Sequence, residues 1–219
     1  MTRDEVKDWL ERKRDFRYQY ITIDTCSKCT LQCEVCRRQS NKNVLGIHPG
    51  ENGKDIPTDD FLKLSKYFDV FSFCGAVSDP LFCDTLIDCL AITKDVENSH
   101  TWIHTAATAK HRSKDWYRDA FSANPRAIWI FGLDGLPEES HKYRIGQDGP
   151  FLWEIMKLGV SMGIDVEWQY IVFRYNENHI ETAHAMAKEH GMRFEIKLSN
   201  RYPANQKPLN PKWQHYEIF

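Results

Sequence analysis

The sequence contains no long apolar run: nothing in it approaches the ~18 residues that a membrane span requires. It has no excess of one charge either. Against 31 Asp and Glu stand 29 Lys and Arg, a net charge of −2, which removes any general electrostatic case for nucleic acid or an anionic membrane surface. No cysteine follows Cys89, and the first residues do not read as a secretory leader. Seven cysteines without such a leader point to a reducing cytoplasm, where disulfides do not staple folds. Nor does a chain of 219 residues need staples. Area scaling lets it bury about 72% of its extended surface. The aromatic content of 13%, with seven Trp, argues against disorder.

What is present is a concentration of thiols. Cys29, Cys33 and Cys36 form a Cys-x3-Cys-x2-Cys run directly after the strand-like segment 20–24, and Cys26 extends it to C-x2-C-x3-C-x2-C. Three thiolates in one short loop can hold three corners of a [4Fe-4S] cube and leave the fourth iron open to a substrate or cofactor. Four thiolates can also bind structural zinc, but zinc knuckles usually stand a dozen or more residues apart, and here three residues separate them. A ferredoxin-like cluster with four cysteine ligands is the nearer rival, because ferredoxin runs are similarly compact. Cys26 is then either a spare structural thiol or a fourth ligand. Cys74, Cys83 and Cys89 lie among apolar neighbours and read as buried core cysteines.

Along the chain, short apolar and β-branched runs at 19–24, 70–74, 102–106, 127–133, 165–173 and 193–198 alternate with helical patterns at 33–40, 59–67, 84–94, 114–123, 151–162 and 180–190. Phe61, Leu64 and Phe68 recur at helical spacing, as do Leu152, Ile155 and Leu158. Thr58 and Asn178 are placed as N-caps, Gly163 and Gly191 as helix-ending glycines. The alternation predicts an α/β fold with parallel strands and right-handed crossovers. Six units fit a partial (β/α)6 TIM-like barrel; an open doubly wound sheet fits the same pattern. A charged helix is expected over 4–15 within an N-terminal segment 1–18, the barrel over 19–198, and a tail over 199–219 with Pro203, Pro208 and Pro211. The stretch 40–56 reads as a long loop.

The cysteine loop and several later blocks resemble the radical S-adenosylmethionine (SAM) superfamily, whose partial barrel would place the loop at the C-terminal strand ends. After the second strand, Gly75 and Asp79-Pro80 are similar to a family segment that receives the SAM amino group. A primary ammonium needs converging carbonyls or a carboxylate, and a glycine-loosened strand end presents them. Thr105 matches the start of a Thr-Asn-Gly block, with Ala106 and Ala107 departing from it. Asp134, Arg144 and Asn176 fall in further blocks. Gly132 replaces a usual Ser, and Val35 replaces a usual aromatic while its backbone stays available to the adenine. Arg144 is expected to grip the SAM carboxylate, since a guanidinium offers a planar fork of donors. Asp134 is expected to face the ribose or cap a turn, and Asn176 to contact the adenosine or end its strand. His104, lacking a nameable partner, reads as a packed or surface residue.

The resemblance implies a radical SAM enzyme with Cys29, Cys33 and Cys36 as cluster ligands, SAM as cofactor, and a flavodoxin- or ferredoxin-type electron donor. It implies hydrogen abstraction from a peptide or protein side chain or a small metabolite. With no cysteine beyond Cys89 there is no material for an auxiliary cluster near the C-terminus. The competing class is a non-enzymatic iron–sulfur carrier or zinc protein that uses Cys26 as a fourth ligand.

Overall fold

The computed structural model describes residues 18–36, 38, 54–75, 78–107 and 112–213, together with Thr2. The expected helix over 4–15, residues 37, 39 and 40 of the helix predicted over 33–40, most of the 40–56 loop and the last six residues lie outside the described residues. Over 33–36 the chain forms a turn in place of the expected helix, the Cys36 amide donating to the Cys33 carbonyl at 3.1 Å.

Six strands, β1 (Tyr18–Ile23), β2 (Phe68–Cys74), β3 (His100–Thr105), β4 (Ile128–Gly132), β5 (Asp165–Ile171) and β6 (Arg193–Lys197), form one sheet in strictly sequential order. Every neighbouring pair is parallel. Between the strands run α1 (Thr58–Ser65), α2 (Leu86–Asp95), α3 (Lys114–Ala123), α4 (Gly149–Ser161) and α5 (Ile180–Glu189). The sequential order separates the two layouts that the sequence pattern allowed. A doubly wound sheet reverses its strand order at a switch point. This one adds each strand at the same edge, so right-handed crossovers put the helices on one side, where α1–α2, α2–α3 and α3–α4 pack on one another. The result is the partial TIM-like barrel.

Alternation along each strand divides the side chains between two faces. Phe71 and Phe73, Trp129 and Phe131, and Val166, Trp168 and Tyr170 are buried in the main hydrophobic core. Trp129 meets Phe121 edge-on at 4.8 Å, and the Trp168 indole N–H donates to the Leu133 carbonyl at 2.7 Å, so a large ring is buried without an orphaned donor. On the other face, register aligns Cys74, His104, Ile130, Glu167 and Arg193 in one row across β2 to β6. That row lies inside the barrel.

Local chemistry explains the element ends. Ser113 and Asp148 cap α3 and α4 by accepting from the amides of Trp116 and Phe151. Thr58 is not the cap of α1: it is the first helical residue, Pro57 precedes it, and its hydroxyl donates to Asp88 at 3.1 Å. Asn178 is likewise displaced, with His179 in the capping position of α5 and no side-chain bond there. Gly163 and Gly191 follow the ends of α4 and α5 at φ +79° and +70°, as expected. β5 stops at Ile171, two residues short of its predicted end. The Asn176 side chain takes over the backbone partners there, donating to the Ile171 carbonyl at 3.0 Å and accepting from the Phe173 amide at 2.7 Å. Beyond β6 the chain folds back on the β5–α5 connection. Gln206 accepts from the Arg174 amide, and Glu177 accepts from the amides of Leu209 and Asn210, all at 2.9 Å. No helix among the described residues is long and apolar enough to cross a membrane.

Candidate functional site

The cysteine loop leaves β1 and is pinned from two sides. The Lys28 carbonyl accepts from the Asp79 amide at 2.9 Å, and the Ile145 carbonyl accepts from the Gln32 amide at 3.0 Å. Asp24 adds a third tie, accepting from the Ser78 hydroxyl at 2.6 Å. Buried Leu31 anchors the middle of the loop. These ties turn Cys29, Cys33 and Cys36 into one cavity of about 190 Å³ at the C-terminal strand ends. Cys26 does not join them. Its thiol donates to the Asp79 carbonyl at 3.4 Å and lies against that of Lys28, so it braces the loop. Cys83 and Cys89 are fully buried, as expected. Cys74 departs from expectation: it lines the same cavity as the three loop thiols.

The loop after β2 closes tightly. A side chain at Gly75 would place its Cβ 1.5 Å from the Ser78 carbonyl oxygen, so only glycine permits this turn. Gly75→Ala should therefore open the β2 loop, seen as increased amide exchange at Ser78 and Asp79. The Asp79 carboxylate is inside the protein, and its acceptor capacity is spent there. It takes the Leu81 amide at 3.1 Å, the Ala106 and Ala107 amides at 2.9 Å each, and the Thr105 hydroxyl at 2.8 Å. Asp79 and Thr105 line the cavity and at the same time lock the β2 loop to the end of β3. Burial pushes the Asp79 pKa up, and these N–H and O–H donors pull it back.

Across the cavity, Arg144 points inward from the segment after β4. Its Nε donates to Asp134 at 2.7 Å, with Asp134 fully buried. Burial works against the Arg144 charge, but Asp134 and the neighbouring Cys33 more than offset it, so its pKa lies above the ordinary value. Asp134 does not face the cavity. Its second oxygen accepts from the Ile171 amide at 2.8 Å, which makes it the counterion and support of Arg144. Gly132 is what makes room for this arginine, because a Cβ there would lie 3.0 Å from Arg144 Nη2 and 3.2 Å from the Ala106 Cβ. The departure from serine at Gly132 and the small Ala106 thus open space in front of the guanidinium. Asn176 is also outside the cavity, its side chain consumed in ending β5. Val35 sits at the rim with its carbonyl 3.4 Å from Arg201 Nη1 and does not line the cavity.

Four participants were not assigned to the site from the sequence. Arg38 is 2% exposed, donates to the Ser27 carbonyl at 2.7 Å and draws the Cys29 pKa down. Burial dominates at that thiol and pushes it up to about 12. Gln147 donates to the Gly132 carbonyl at 2.9 Å and to that of Ala106, tying β3 to β4 under the cavity. His104 and Gln169 line the cavity from inside the barrel; for His104 burial, then Lys197, lowers the pKa and keeps the ring neutral at pH 7. Only the period-two alternation of the strands pointed toward His104 and Gln169, and no signal pointed toward Arg38 and Gln147.

The donor set suits an iron–sulfur cube. Three thiols surround a cavity, and among the described residues no three ligating side chains converge tightly enough for a single metal ion. A cube takes one thiol at each of its corners around a shared space, whereas a tetrahedral zinc site draws its sulfurs to one point.

No family model matches this sequence, and no curated protein matches it. Solved structures do. SuiB of Streptococcus suis, crystallised with S-adenosylmethionine, superposes with a TM-score of 0.68 at 13% identity, over 94% of this chain and 47% of SuiB. Methylornithine synthase (PylB) gives 0.56 at 13% identity, over 90% of this chain and 61% of its own. The anSMEcpe structure with bound AdoMet gives 0.57 at 14%, over 83% and 52%. The fold is the partial barrel that these structures share. The chain spans about half the length of SuiB and of anSMEcpe. At these identities the likeness concerns architecture.

Proposed function

We propose that this chain is a radical SAM enzyme, with Cys29, Cys33 and Cys36 holding three corners of a [4Fe-4S] cluster and SAM occupying the adjoining cavity. The observation that carries the reading is the convergence of those three thiols, and of Arg144, on one cavity at the C-terminal strand ends. When bound, the cluster and SAM supply reductive cleavage of the sulfonium C–S bond and hydrogen abstraction from an unactivated C–H bond. The chain's own residues bind, orient and exclude water. Arg144, held from behind by Asp134, presents the rest of its fork to the SAM carboxylate. Gly75 shapes a loop whose carbonyls suit the amino group, and Asp79 with Thr105 keeps that loop in register with β3. A flavodoxin- or ferredoxin-type protein is the proposed electron donor, and the cytoplasm the proposed location. The substrate is a peptide side chain or a small metabolite. SuiB has been crystallised with its precursor peptide SuiA, and that complex superposes on this chain with a TM-score of 0.65 at 13% identity, which supports the first of these.

Anaerobic reconstitution tests the reading. Iron and sulfide should approach four each per chain, SAM should change the electron paramagnetic resonance spectrum of the reduced cluster, and 5′-deoxyadenosine should accumulate with dithionite. Cys36→Ala should abolish all three, and Cys26→Ala should keep them. The rival reading as a four-cysteine carrier or zinc protein reverses the Cys26 result and removes the SAM effect; either outcome would overturn the proposal. Gly132→Ser should crowd Arg144 and weaken SAM binding about tenfold, roughly 1.4 kcal/mol, measured by titration of the reconstituted protein. Unchanged affinity would detach Arg144 from the carboxylate.

A further inference from the structure

A second cavity, of about 410 Å³, lies inside the barrel toward the N-terminal strand ends. Tyr20, Trp102, Ile128 and Ile130 give it apolar and aromatic walls, and three polar groups converge on it: His104, Glu167 and Arg193. This is the composition of a small-molecule site, mostly apolar with a few placed polar groups. His104 and Ile130 line both this cavity and the one bearing the cysteines. The two spaces therefore share a wall at His104 and Ile130, and a molecule in the second would lie across that wall from the first.

The polar groups form an unusual chain. Arg193 Nη1 lies 2.8 Å from Glu167, and its Nε lies 2.9 Å from Asp165. Glu167, with its side chain 10% exposed, is also hydrogen-bonded to Glu195, which in turn pairs with Lys197 and Gln169. Each member of the Arg193–Glu167 pair thus keeps a second partner outside the cavity. When the pair opens, half-exposed Arg193 keeps Asp165 as its counterion, while Glu167, lying against a second carboxyl group on Glu195, is left in need of a cation. A ligand carrying both signs a few ångströms apart can enter the gap and exchange one ion pair for two. A lone anion would face Glu167, a lone cation would face Arg193, and a neutral ligand would have nothing with which to replace the pair.

We propose that this lumen cavity binds a free α-amino acid with an apolar side chain, its carboxylate on Arg193, its ammonium on Glu167 and His104, and its side chain among Tyr20, Trp102, Ile128 and Ile130. As an assignment of substrate, this rests on the radical SAM reading and selects the small metabolite over the peptide. The guanidinium offers two donors to a carboxylate, and the neutral imidazole accepts from an ammonium. The reactive carbon would then lie below the cavity of the three cysteines.

Calorimetric titration of the anaerobic, cluster-loaded protein tests the site, with leucine, isoleucine, valine, methionine and phenylalanine as separate probes. At least one should bind saturably. Its N-acetyl and amide derivatives, each missing one charge, should bind at least about tenfold more weakly. Glu167→Gln and Arg193→Met should each weaken the free amino acid by about the same factor. The comparison of blocked with free ligands uses the unmodified protein, so it stands if a variant fails to fold. Absence of binding by all five, equal binding of the blocked forms, unchanged affinity in both folded variants, or binding of an internal peptide in place of the free acids would overturn the assignment. Assaying 5′-deoxyadenosine in the same preparation separates the two proposals. Amino-acid binding without SAM cleavage refutes the radical reading and leaves the site standing; SAM cleavage without amino-acid binding refutes the site alone.

Discussion

Asp79→Ala should lower the unfolding free energy by about 4 kcal/mol, read from urea denaturation with an unchanged slope. The carboxylate is 5% exposed and accepts from three backbone amides and the Thr105 hydroxyl. Truncation orphans all four donors in a buried place, at about 1–3 kcal/mol each before any water enters. Water reaching the site recovers part of that sum. Asp79→Asn should recover less than a direct reading of its shape suggests, because its amide turns a donor toward donors. The loss should spread to the site, since the amides of Ala106 and Ala107 fix the end of β3 beside the cavity. A cost below about 1 kcal/mol would mean that the carboxylate does not brace these loops.

Asp134→Ala should cost about 3–5 kcal/mol and should also remove most of the affinity for SAM. Asp134 has no exposed surface and carries both the Arg144 ion pair at 2.7 Å and the Ile171 amide at 2.8 Å. Its removal leaves a guanidinium whose side chain is 17% exposed without a counterion. Asp134→Asn keeps the amide contact and loses the ion pair, which divides the two contributions. Combining Asp134→Ala with Arg144→Met should return part of the stability, because the stranded charge is gone. A double-mutant cycle with coupling under about 0.5 kcal/mol would show that the two residues act independently.

The two acids illustrate how far the residues could be read in advance. Both were placed in the site from their blocks, and both belong to it in the chain. Their hydrogen-bond partners were not legible for one reason: a carboxylate's partners are set by which amides the neighbouring strand ends present. Asp79 meets Ala106 and Ala107 across 27 and 28 residues, and Asp134 meets Ile171 across 37. Asn176 was readable in both of its alternatives, and the hydrogen bonds to Ile171 and Phe173 decide for strand ending. Cys74 and His104 looked like core and surface residues because strand alternation says only that a residue faces one side or the other. In this barrel the inward side at those positions lines a cavity.

The chain's order of amino acids determined, on its own, the alternation of strand and helix, the thiol spacing and the glycines that end α4 and α5. These depend on neighbours within a few positions, where dihedral preference, periodicity and loop reach act directly. Tertiary structure alone decided that the sheet winds in a single direction, that Cys26 turns away from the other three thiols, and that Arg144 is held by Asp134. Those outcomes depend on parallel register between strands tens of residues apart, where a shift of one residue sends every side chain to the opposite face.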